Sequence, residues 1–395
     1  MLNLRHRHKR LSALVFAIVV LQAAFAAASE GTTFLGMDPP GPVPVPLDPE
    51  IFSYTATPHG CLTFNADDTE VYWSTFGSIL YSSFNGETLS PPATPTFNTS
   101  ATDTGPSFSH DGLRLFFSSG RPAPGGSSST KAVWYAEHLQ GGGWTDAMAV
   151  DSTICDTMYQ GQTSLAANND LYFDGKFYSS AYATIFLSRY VDGTYQRFEE
   201  LEGPLAAAVT LMIDPFVDPL ERFMLFSGQV PGMNIGALDI YVSYKEPDGT
   251  WGAPVNLGPT INLPGTMHRF PSVSRDGRFL FFVRNVGTQY PGQSTMYYWV
   301  NASALSVLPC CEGKVGDAND SGDETPTIGD ISAMIDAKFI AESCDGKIGC
   351  PAEADVNLSA SGVAVCDDIT IGDISMLVDY LFITGSENMT LPDCP

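Results

Sequence analysis

Basic residues are scarce in this chain. It has 19 Lys and Arg residues against 44 Asp and Glu residues, which gives a formal net charge of −25 at pH 7. The phosphates of nucleic acid and the surface of an anionic membrane would both repel such a chain. We therefore expect neither as a partner. The charge is compatible with cations, above all calcium outside the cell, and a solvated acidic surface without any ligand is the alternative.

Several motifs of catalysis and metal binding are also missing. No CxxC pair stands at zinc spacing, and no HExxH motif occurs. The chain has no phosphate-binding loop, no dinucleotide fingerprint and no GxSxG nucleophile motif. We therefore expect a binding protein more than an enzyme.

Long apolar runs are missing after the first 28 residues. Residues 11–28 form one such run, which follows a basic head and ends in small residues. This arrangement is typical of a secretory signal peptide over residues 1–28, and a single membrane anchor is the alternative. We expect a mature chain without a membrane span that is secreted or held at the cell surface, the periplasm being a further alternative.

Cysteines are few and unevenly placed. Cys61 and Cys155 stand alone, whereas the other six lie near the C-terminus, at Cys310, Cys311, Cys344, Cys350, Cys366 and Cys394. An even cluster of this kind in an exported protein predicts disulfides. The sequence does not choose among the pairings.

A repeated unit fills the N-terminal three quarters of the chain. Its copies lie at residues 62–74, 106–118, 163–173, 215–227 and 271–283, the third being weaker and shorter. A period of roughly 50 residues is in the range of propeller blades. We expect a mainly β fold, a propeller of five or six blades. The sequence leaves open whether the Pro-rich segment 38–55 helps to form a sixth.

The repeat has a physical logic. A first strand ends in a polar turn such as Asp111-Gly112 or Asp276-Gly277, where glycine accepts the positive φ of a tight hairpin. The next strand is apolar on both faces, as in 115–117, which fits a strand between neighbouring blades. This string resembles the repeats of TolB-like, WD-repeat-like propellers. The resemblance covers residues 29–308 and implies the fold but no particular function.

Carboxylates for glycoside hydrolysis are hard to single out in the repeats. Because most of the candidates recur at the turn, we interpret them as scaffold. They are Asp67, Asp68, Asp111, Asp214, Asp218, Asp239 and Asp276. A metal or sugar site in the central channel is the alternative, built from His59 and His268 with Arg269 and Asp214.

Aromatic residues of the blades are a second candidate set. They are Tyr72, Trp73, Trp134, Tyr135, Trp144, Trp251 and Trp299. Each can stack on a sugar ring, but packing between blades is the more common role of such side chains.

The C-terminal region, residues 309–395, carries a duplicated unit. Residues 316–340 and 354–383 both begin with Asp-x-Asn and both contain Thr-Ile-Gly-Asp-Ile-Ser before an apolar helical pattern. Calcium is bound by six to eight oxygens on a compact loop. The candidate ligands are Asp317, Asn319, Ser321, Asp323 and Asp330 in the first loop and Asp355, Asn357, Ser359 and Asp373 in the second.

This unit resembles the dockerin module, a small α-helical domain with duplicated calcium loops. The resemblance implies bound Ca²⁺ and a cohesin-like or cell-surface protein partner. Two departures weaken it: Ser321 stands where dockerins usually have Asp, and Asp330 and Asp373 come later than usual after their loops. A disulfide-held helical pair without calcium is the alternative.

These observations predict a secreted, non-catalytic propeller that binds protein or glycan and is tethered or assembled through a calcium-binding, dockerin-like tail. The alternative is an extracellular polysaccharide hydrolase or lyase on the same scaffold, with the tail as its anchor.

Overall fold

The β-sheets of the chain are arranged as the blades of a propeller. This computed structural model describes residues 33–52, 58–122, 131–139, 142–150, 158–177, 180, 182–246, 248–290, 293–302, 315–319, 326–340, 348, 354–357, 369–385 and 388–392. Within these ranges the strands form five antiparallel blades and one small hairpin. The expected signal peptide and the cysteines Cys155, Cys310, Cys311, Cys344, Cys350, Cys366 and Cys394 lie outside the described residues.

The first two blades follow one another along the chain. Blade 1 consists of β2 (Thr63–Phe64), β3 (Glu70–Ser74) and β4 (Ile79–Ser83). Blade 2 consists of β5 (Asp103–Phe108), β6 (Arg114–Ser119), β7 (Ala132–Glu137) and β8 (Met148–Ala149). In both blades the first strand is the innermost.

The third and fourth blades repeat this order. Blade 3 consists of β9 (Met158–Leu165), β10 (Leu171–Phe177), β11 (Thr184–Ser188) and β14 (Glu199–Glu200), with the hairpin β12 (Tyr190–Val191) and β13 (Thr194–Tyr195) inserted. A short helix, α2 (Pro204–Ala208), leads to blade 4, which consists of β15 (Leu211–Val217), β16 (Phe223–Gln229), β17 (Asp239–Tyr244) and β18 (Val255–Asn256).

Blade 5 closes the ring with a strand from the beginning of the chain. Its strands are β19 (His268–Val273), β20 (Phe279–Tyr290), β21 (Gln293–Asn301) and β1 (Val45–Pro46), and the short helix α1 (Pro49–Phe52) follows β1. Val45 pairs with Trp299 and Pro46 with Tyr298. The Pro-rich segment therefore completes the fifth blade, which answers the question of blade number for the described residues.

The turn after each inner strand needs one residue with positive φ. Gly112 and Gly277 provide it in blades 2 and 5, as the sequence predicts. Asp68, Asn169 and Glu221 adopt the same conformation in the other three blades. The hairpin is thus a property of the repeat and not of glycine alone.

The second strand of each blade packs on both sides. In β6, Leu115 and Phe117 join one apolar cluster and Phe116 joins the cluster of the next blade. All three side chains are fully buried. The two-sided apolar pattern therefore predicts correctly that this strand lies between neighbouring blades.

The C-terminal region folds as two similar helices. They are α3 (Ile328–Ile335) and α4 (Ile371–Val378), continued by π-helical turns over Asp336–Ile340 and Asp379–Ile383. Thr327 and Thr370 cap them with matching capping boxes. Their inner faces share an apolar cluster that includes Ile331, Met334, Ile374 and Leu377. Among the described residues, no helix is long and apolar enough to cross a membrane.

Candidate functional site

The inner strands of the five blades surround a central channel. Each strand begins at one end of the channel, here called the front end, and finishes at the other, the turn end, where the hairpins lie. A bulge interrupts the register midway along β5, β9, β15 and β19. Gly105, Asp214 and Phe270 have positive φ at these bulges, and Gly60 has it just before β2. The two non-glycine residues are held in a conformation that costs of order 1–3 kcal/mol each.

A charged cluster lies at the front end, which we define as His59, Lys131, Tyr159, Asp174, Asp214 and Arg269. Arg269 Nε and Nη2 donate to the two carboxylate oxygens of Asp214 at 2.9 and 2.7 Å. Asp174 Oδ1 accepts from the backbone N–H of Gln162 at 2.7 Å and of Asp214 at 3.3 Å. Lys131 Nζ donates to Thr104 Oγ1 at 2.9 Å.

Burial sets the protonation of this cluster. Asp174 is 7 % exposed, and burial together with the nearby charge of Asp214 raises its pKa to about 7. Burial, helped by the charge of Arg269, lowers the pKa of His59 to about 4. Burial therefore favours a neutral imidazole at His59 and the protonated form of the Asp174 carboxyl.

The residues of the charged cluster were only partly predictable. The sequence placed His59, Asp214 and Arg269 at the channel, and the structure brings these three together. It did not point to Asp174, Lys131 or Tyr159. A signal for Asp174 exists, because Ser74, Ser118 and Ser227 hold the same position in other copies of the repeat.

The prediction for His268 is wrong. Its side chain is fully buried beside the loop that precedes β19, where Nε2 lies 3.3 Å from the backbone N of Leu263 and 3.0 Å from Thr266 Oγ1. Its Nδ1 lies 4.0 Å from Asp239 Oδ1, so it belongs to a structural polar network. The cause is strand alternation: in β19, Arg269 points to the channel and His268 away from it.

Most of the remaining acidic candidates are scaffold, as the sequence predicts. Asp111 Oδ1 accepts from Ser109 Oγ at 2.6 Å within the turn, and Asp218 binds Arg222 with both carboxylate oxygens. Asp214 is the exception, since it lies at a bulge in the channel. The aromatic candidates pack in the blades: Tyr72, Trp73, Trp134, Trp251 and Trp299 are buried, and Tyr135 and Trp144 are half-buried.

A cavity occupies the turn end of the channel. Its volume is about 400 Å³, and all five blades contribute to its wall. The contributing segments are 61–64, 106–110, 162–165, 215–223 and 273–277, with gaps. The side chain of Gln162 crosses the channel above it, because Gln162 Oε1 accepts from the backbone N–H of Cys61 at 3.2 Å. We call this space the channel cavity.

The two calcium-loop candidates share one geometry in their described parts. Asp330 Oδ1 accepts from the N–H of Asn319 at 3.1 Å, and its Oδ2 accepts from the N–H of Thr327 at 2.7 Å. Asp373 does the same with Asn357 at 3.0 Å and Thr370 at 2.7 Å. The duplication seen in the sequence is thus a duplication in space.

The loop residues fit a cation in part. Asp317, Asp330, Asp355 and Asp373 are all buried, and Asn319 Oδ1 is buried without a hydrogen-bond partner among the residues that the structure describes. Burial raises the pKa of Asp330, to which the charge of Asp317 adds. Within the described ranges, no group of three or more His, Cys, Asp or Glu side chains is arranged to hold a metal ion. Ser321, Asp323 and Ser359 lie outside those ranges.

Comparisons with known proteins find similarity to solved structures only. No protein-family model matches the chain, and no curated protein matches it. TolB from Acinetobacter baumannii is similar at 11 % identity, with 62 % of this chain and 57 % of that chain covered and a TM-score of 0.40. An endo-arabinanase of glycoside hydrolase family 43 from Bacillus licheniformis is similar at 12 % identity, with 64 % and 96 % covered and a TM-score of 0.40.

A third solved structure, the catalytic domain of an α-L-arabinofuranosidase from Coprinopsis cinerea, is similar at 12 % identity, with 66 % and 97 % covered and a TM-score of 0.41. Likenesses at this level carry no argument about activity. The five-bladed propeller is established by the sheet order of the chain itself.

Proposed function

We propose that this protein is a non-catalytic, exported binding protein whose propeller takes its ligand in the channel cavity. The observation that carries the proposal is the cavity of about 400 Å³ enclosed by all five blades. Small-molecule sites are typically concave, largely apolar spaces of this size with a few polar groups at defined places. Binding in such a site requires no catalytic side chain.

The chemistry of the charged cluster supports binding over catalysis. A glycosidase of the common two-carboxylate kind needs both carboxyl groups beside the sugar. Here Arg269 occupies both oxygens of Asp214, which is 1 % exposed. A side-chain carbon added at Gly161 would lie within 2.9 Å of both oxygens of Asp174, so the backbone covers that carboxyl. We assign these carboxylates to the scaffold of the channel.

A fluorescence titration tests the cavity. The probe is 8-anilinonaphthalene-1-sulfonate, which brightens in apolar sites. Ser107 lines the cavity, and the replacement Ser107→Trp fills it. We expect Ser107→Trp to remove most of the probe signal of the full chain. Its control is Ser100→Trp, an exposed position before β5, which should leave the signal unchanged. Equal signals in both variants would contradict the proposal.

For the tail we propose calcium binding in both loops. Its support is the matched burial of Asp317 and Asp355 beside the capping carboxylates Asp330 and Asp373. A bound calcium ion would balance the negative charge of these carboxylates and hold each loop against its helix. Calorimetric titration of calcium into the full chain should give two sites, and Asp317→Asn or Asp355→Asn should each remove one. Asp336→Asn, in the π-helical turn after α3, is the control. No heat of binding would refute this part.

The helices also present a duplicated apolar surface, which supports a docking role with a cohesin-like or cell-surface partner. Ile328 and Ile371 are 67 % and 68 % exposed at the two helix starts. Phe339 and Phe382 are 57 % and 62 % exposed near the two helix ends. A cohesin domain is the probe: we expect calorimetric binding that chelation of calcium abolishes. Phe339→Ser with Phe382→Ser should weaken it, and binding that is insensitive to both would exclude this surface.

A further inference from the structure

We propose that the ligand of the channel cavity is a small carboxylate with an aryl or alkyl body, and that its anionic group binds at Arg275. This inference rests on the proposed binding role of the cavity and adds the chemical class of the ligand. Two features carry it: the wall of the cavity, and the charges at its mouth.

Several residues of the cavity wall are apolar. Phe64, Phe108, Leu165, Phe216 and Phe223 contribute to it. These residues belong to four of the five blades, and their side chains also pack in the apolar clusters between blades. Burying an apolar body against such a wall contributes about 25 cal/mol per Å² of apolar surface removed from water.

Two hydroxyl groups of the wall already accept hydrogen bonds between blades. Thr63 Oγ1 accepts from the N–H of Phe108 at 3.1 Å, and Ser164 Oγ accepts from the N–H of Val217 at 2.8 Å. Thr163 Oγ1 lies 3.4 Å from the carbonyl oxygen of Gly105. A sugar would bury several hydroxyls that each need a partner, and leaving them unpaired is costly. The wall therefore favours an apolar body over a glycan.

Two arginines and the carboxylate of Asp218 contribute to the mouth of the cavity. Arg222 and Arg275 both contribute to the lining. Arg222 is held by both carboxylate oxygens of Asp218, at 3.0 and 2.7 Å. Arg275 is exposed, and its Nη2 donates to the backbone carbonyl of His110 at 3.3 Å.

A carbonyl orients a guanidinium without neutralising it. Asp68 lies within electrostatic range of Arg275, but among the described residues no ion pair joins Arg275 to a carboxylate. The guanidinium fork matches a carboxylate in shape and charge. Arg275 is thus the cationic group of the mouth that is available to an anionic ligand, in a chain whose net charge is −25.

The size of the cavity sets the size of the ligand. A volume of about 400 Å³ lies near the small end of the usual range for small-molecule sites. A phenyl ring or an alkyl chain fits within such a space, whereas a folded partner cannot enter it. We therefore take the ligand to be a free small molecule.

Calorimetry on the full chain tests this inference with three probes of one shape: 3-phenylpropionate, 3-phenylpropanol and 3-phenylpropylamine. We expect the carboxylate to bind several-fold more tightly than the alcohol, since the guanidinium fork of Arg275 matches a carboxylate in shape and charge. The amine should bind most weakly. Arg275→Gln should reduce the affinity for the carboxylate to that for the alcohol and leave the alcohol unchanged. Arg189→Gln, an exposed arginine of blade 3, is the matched control.

The outcomes separate this inference from the proposed function. Equal binding of carboxylate and alcohol, unchanged in Arg275→Gln, would overturn the anionic ligand and leave the cavity as a binding site. Preference for the amine would overturn it in the same way. No binding of any probe, together with a dye signal that Ser107→Trp does not reduce, would overturn both.

Discussion

Arg269 and Asp214 join blades 5 and 4 across the front end of the channel through a two-point ion pair, with distances of 2.9 and 2.7 Å. Both residues lie at or next to a bulge in an inner strand, and Asp214 and Phe270 have positive φ there. Because the carboxylate also lies 3.4 Å from the backbone N of Phe270, the pair fixes the unusual backbone of both blades.

Removing one member of this pair should destabilise the propeller strongly. Asp214→Asn removes a buried carboxylate that holds Arg269, whose side chain is 32 % exposed. We therefore expect a cost towards the lower end of the about 3–5 kcal/mol that is typical of breaking a buried pair. The double variant Asp214→Asn with Arg269→Gln should recover part of that loss. Urea unfolding measures it. The pair of Arg189, whose side chain is 60 % exposed, and the buried Asp170, at 3.3 Å, is the control, and removing Arg189 should cost clearly less. Equal costs for the two pairs would refute the structural role of Asp214.

The stability of the folded chain should depend on pH through Asp174. Burial and the charge of Asp214 raise its pKa from 3.8 to about 7, so the folded state holds its proton more tightly than the unfolded state. The contribution of the neutral carboxyl to stability is therefore fully present below pH 4 and is lost as the pH rises through 7. Asp174→Ser introduces the serine that Ser74, Ser118 and Ser227 provide in three other repeats. In this variant the loss of stability with rising pH should vanish.

Thermal unfolding of the wild type and Asp174→Ser between pH 4 and pH 8 measures the effect. As the pH rises, the unfolding temperature of Asp174→Ser should increase relative to that of the wild type. A difference that stays constant over this range would show that Asp174 has an ordinary pKa. The mutant Asp248→Ser, at a fully exposed turn position, should show no such trend.

His268 should act in the opposite direction. Burial, helped by the charge of Arg284, lowers its pKa from 6.5 to about 4. The unfolded state therefore takes up the proton first, and stability is lost as the pH falls from 6.5 towards 4. His268→Gln should make the unfolding midpoint less sensitive to acid in this window. The exposed His110→Gln should leave the acid sensitivity as it is. Equal slopes in wild type and His268→Gln would contradict the neutral, buried state of His268.

The helix caps of the tail give a prediction that does not depend on metal. Thr370 Oγ1 accepts from the N–H of Gly372 at 3.1 Å and donates to Asp373 Oδ2 at 2.7 Å. Thr370→Ala should destabilise the helical pair by about 1 kcal/mol, as loss of a cap usually does. Thr370→Ser keeps the hydroxyl and should cost little. Circular dichroism during unfolding in chelator distinguishes them, and an unchanged Thr370→Ala variant would argue against the cap.

The repeat made much of the propeller predictable, for a physical reason. The turn residues and the two-sided apolar strand recur because each blade must turn and pack in the same way, so Asp111-Gly112 and 115–117 indicated their structure directly. The closing strand Val45–Pro46 was not predictable, since its partner Trp299 lies at the far end of the propeller repeats and a two-residue strand has no periodicity.

The charged cluster was harder to predict because it depends on where a side chain points. His268 and Arg269 are neighbours in sequence, yet strand alternation sends them to opposite sides. Asp174 lies one residue beyond the segment recognised as the third repeat, where three of the other four copies have serine and the fifth has Val283. The channel cavity was not predictable at all, because it is formed by five segments far apart in the chain.

A crystal structure with bound ligand tests most directly which end of the channel holds the binding site. A crystal of the full chain grown with 3-phenylpropionate should show the phenyl ring in the channel cavity, between Phe108 and Phe216, with the carboxylate at Arg275. The charged cluster should then hold no ligand. Density for the ligand beside Asp174 and Arg269 at the front end, with the cavity empty, would contradict the binding site proposed for this propeller.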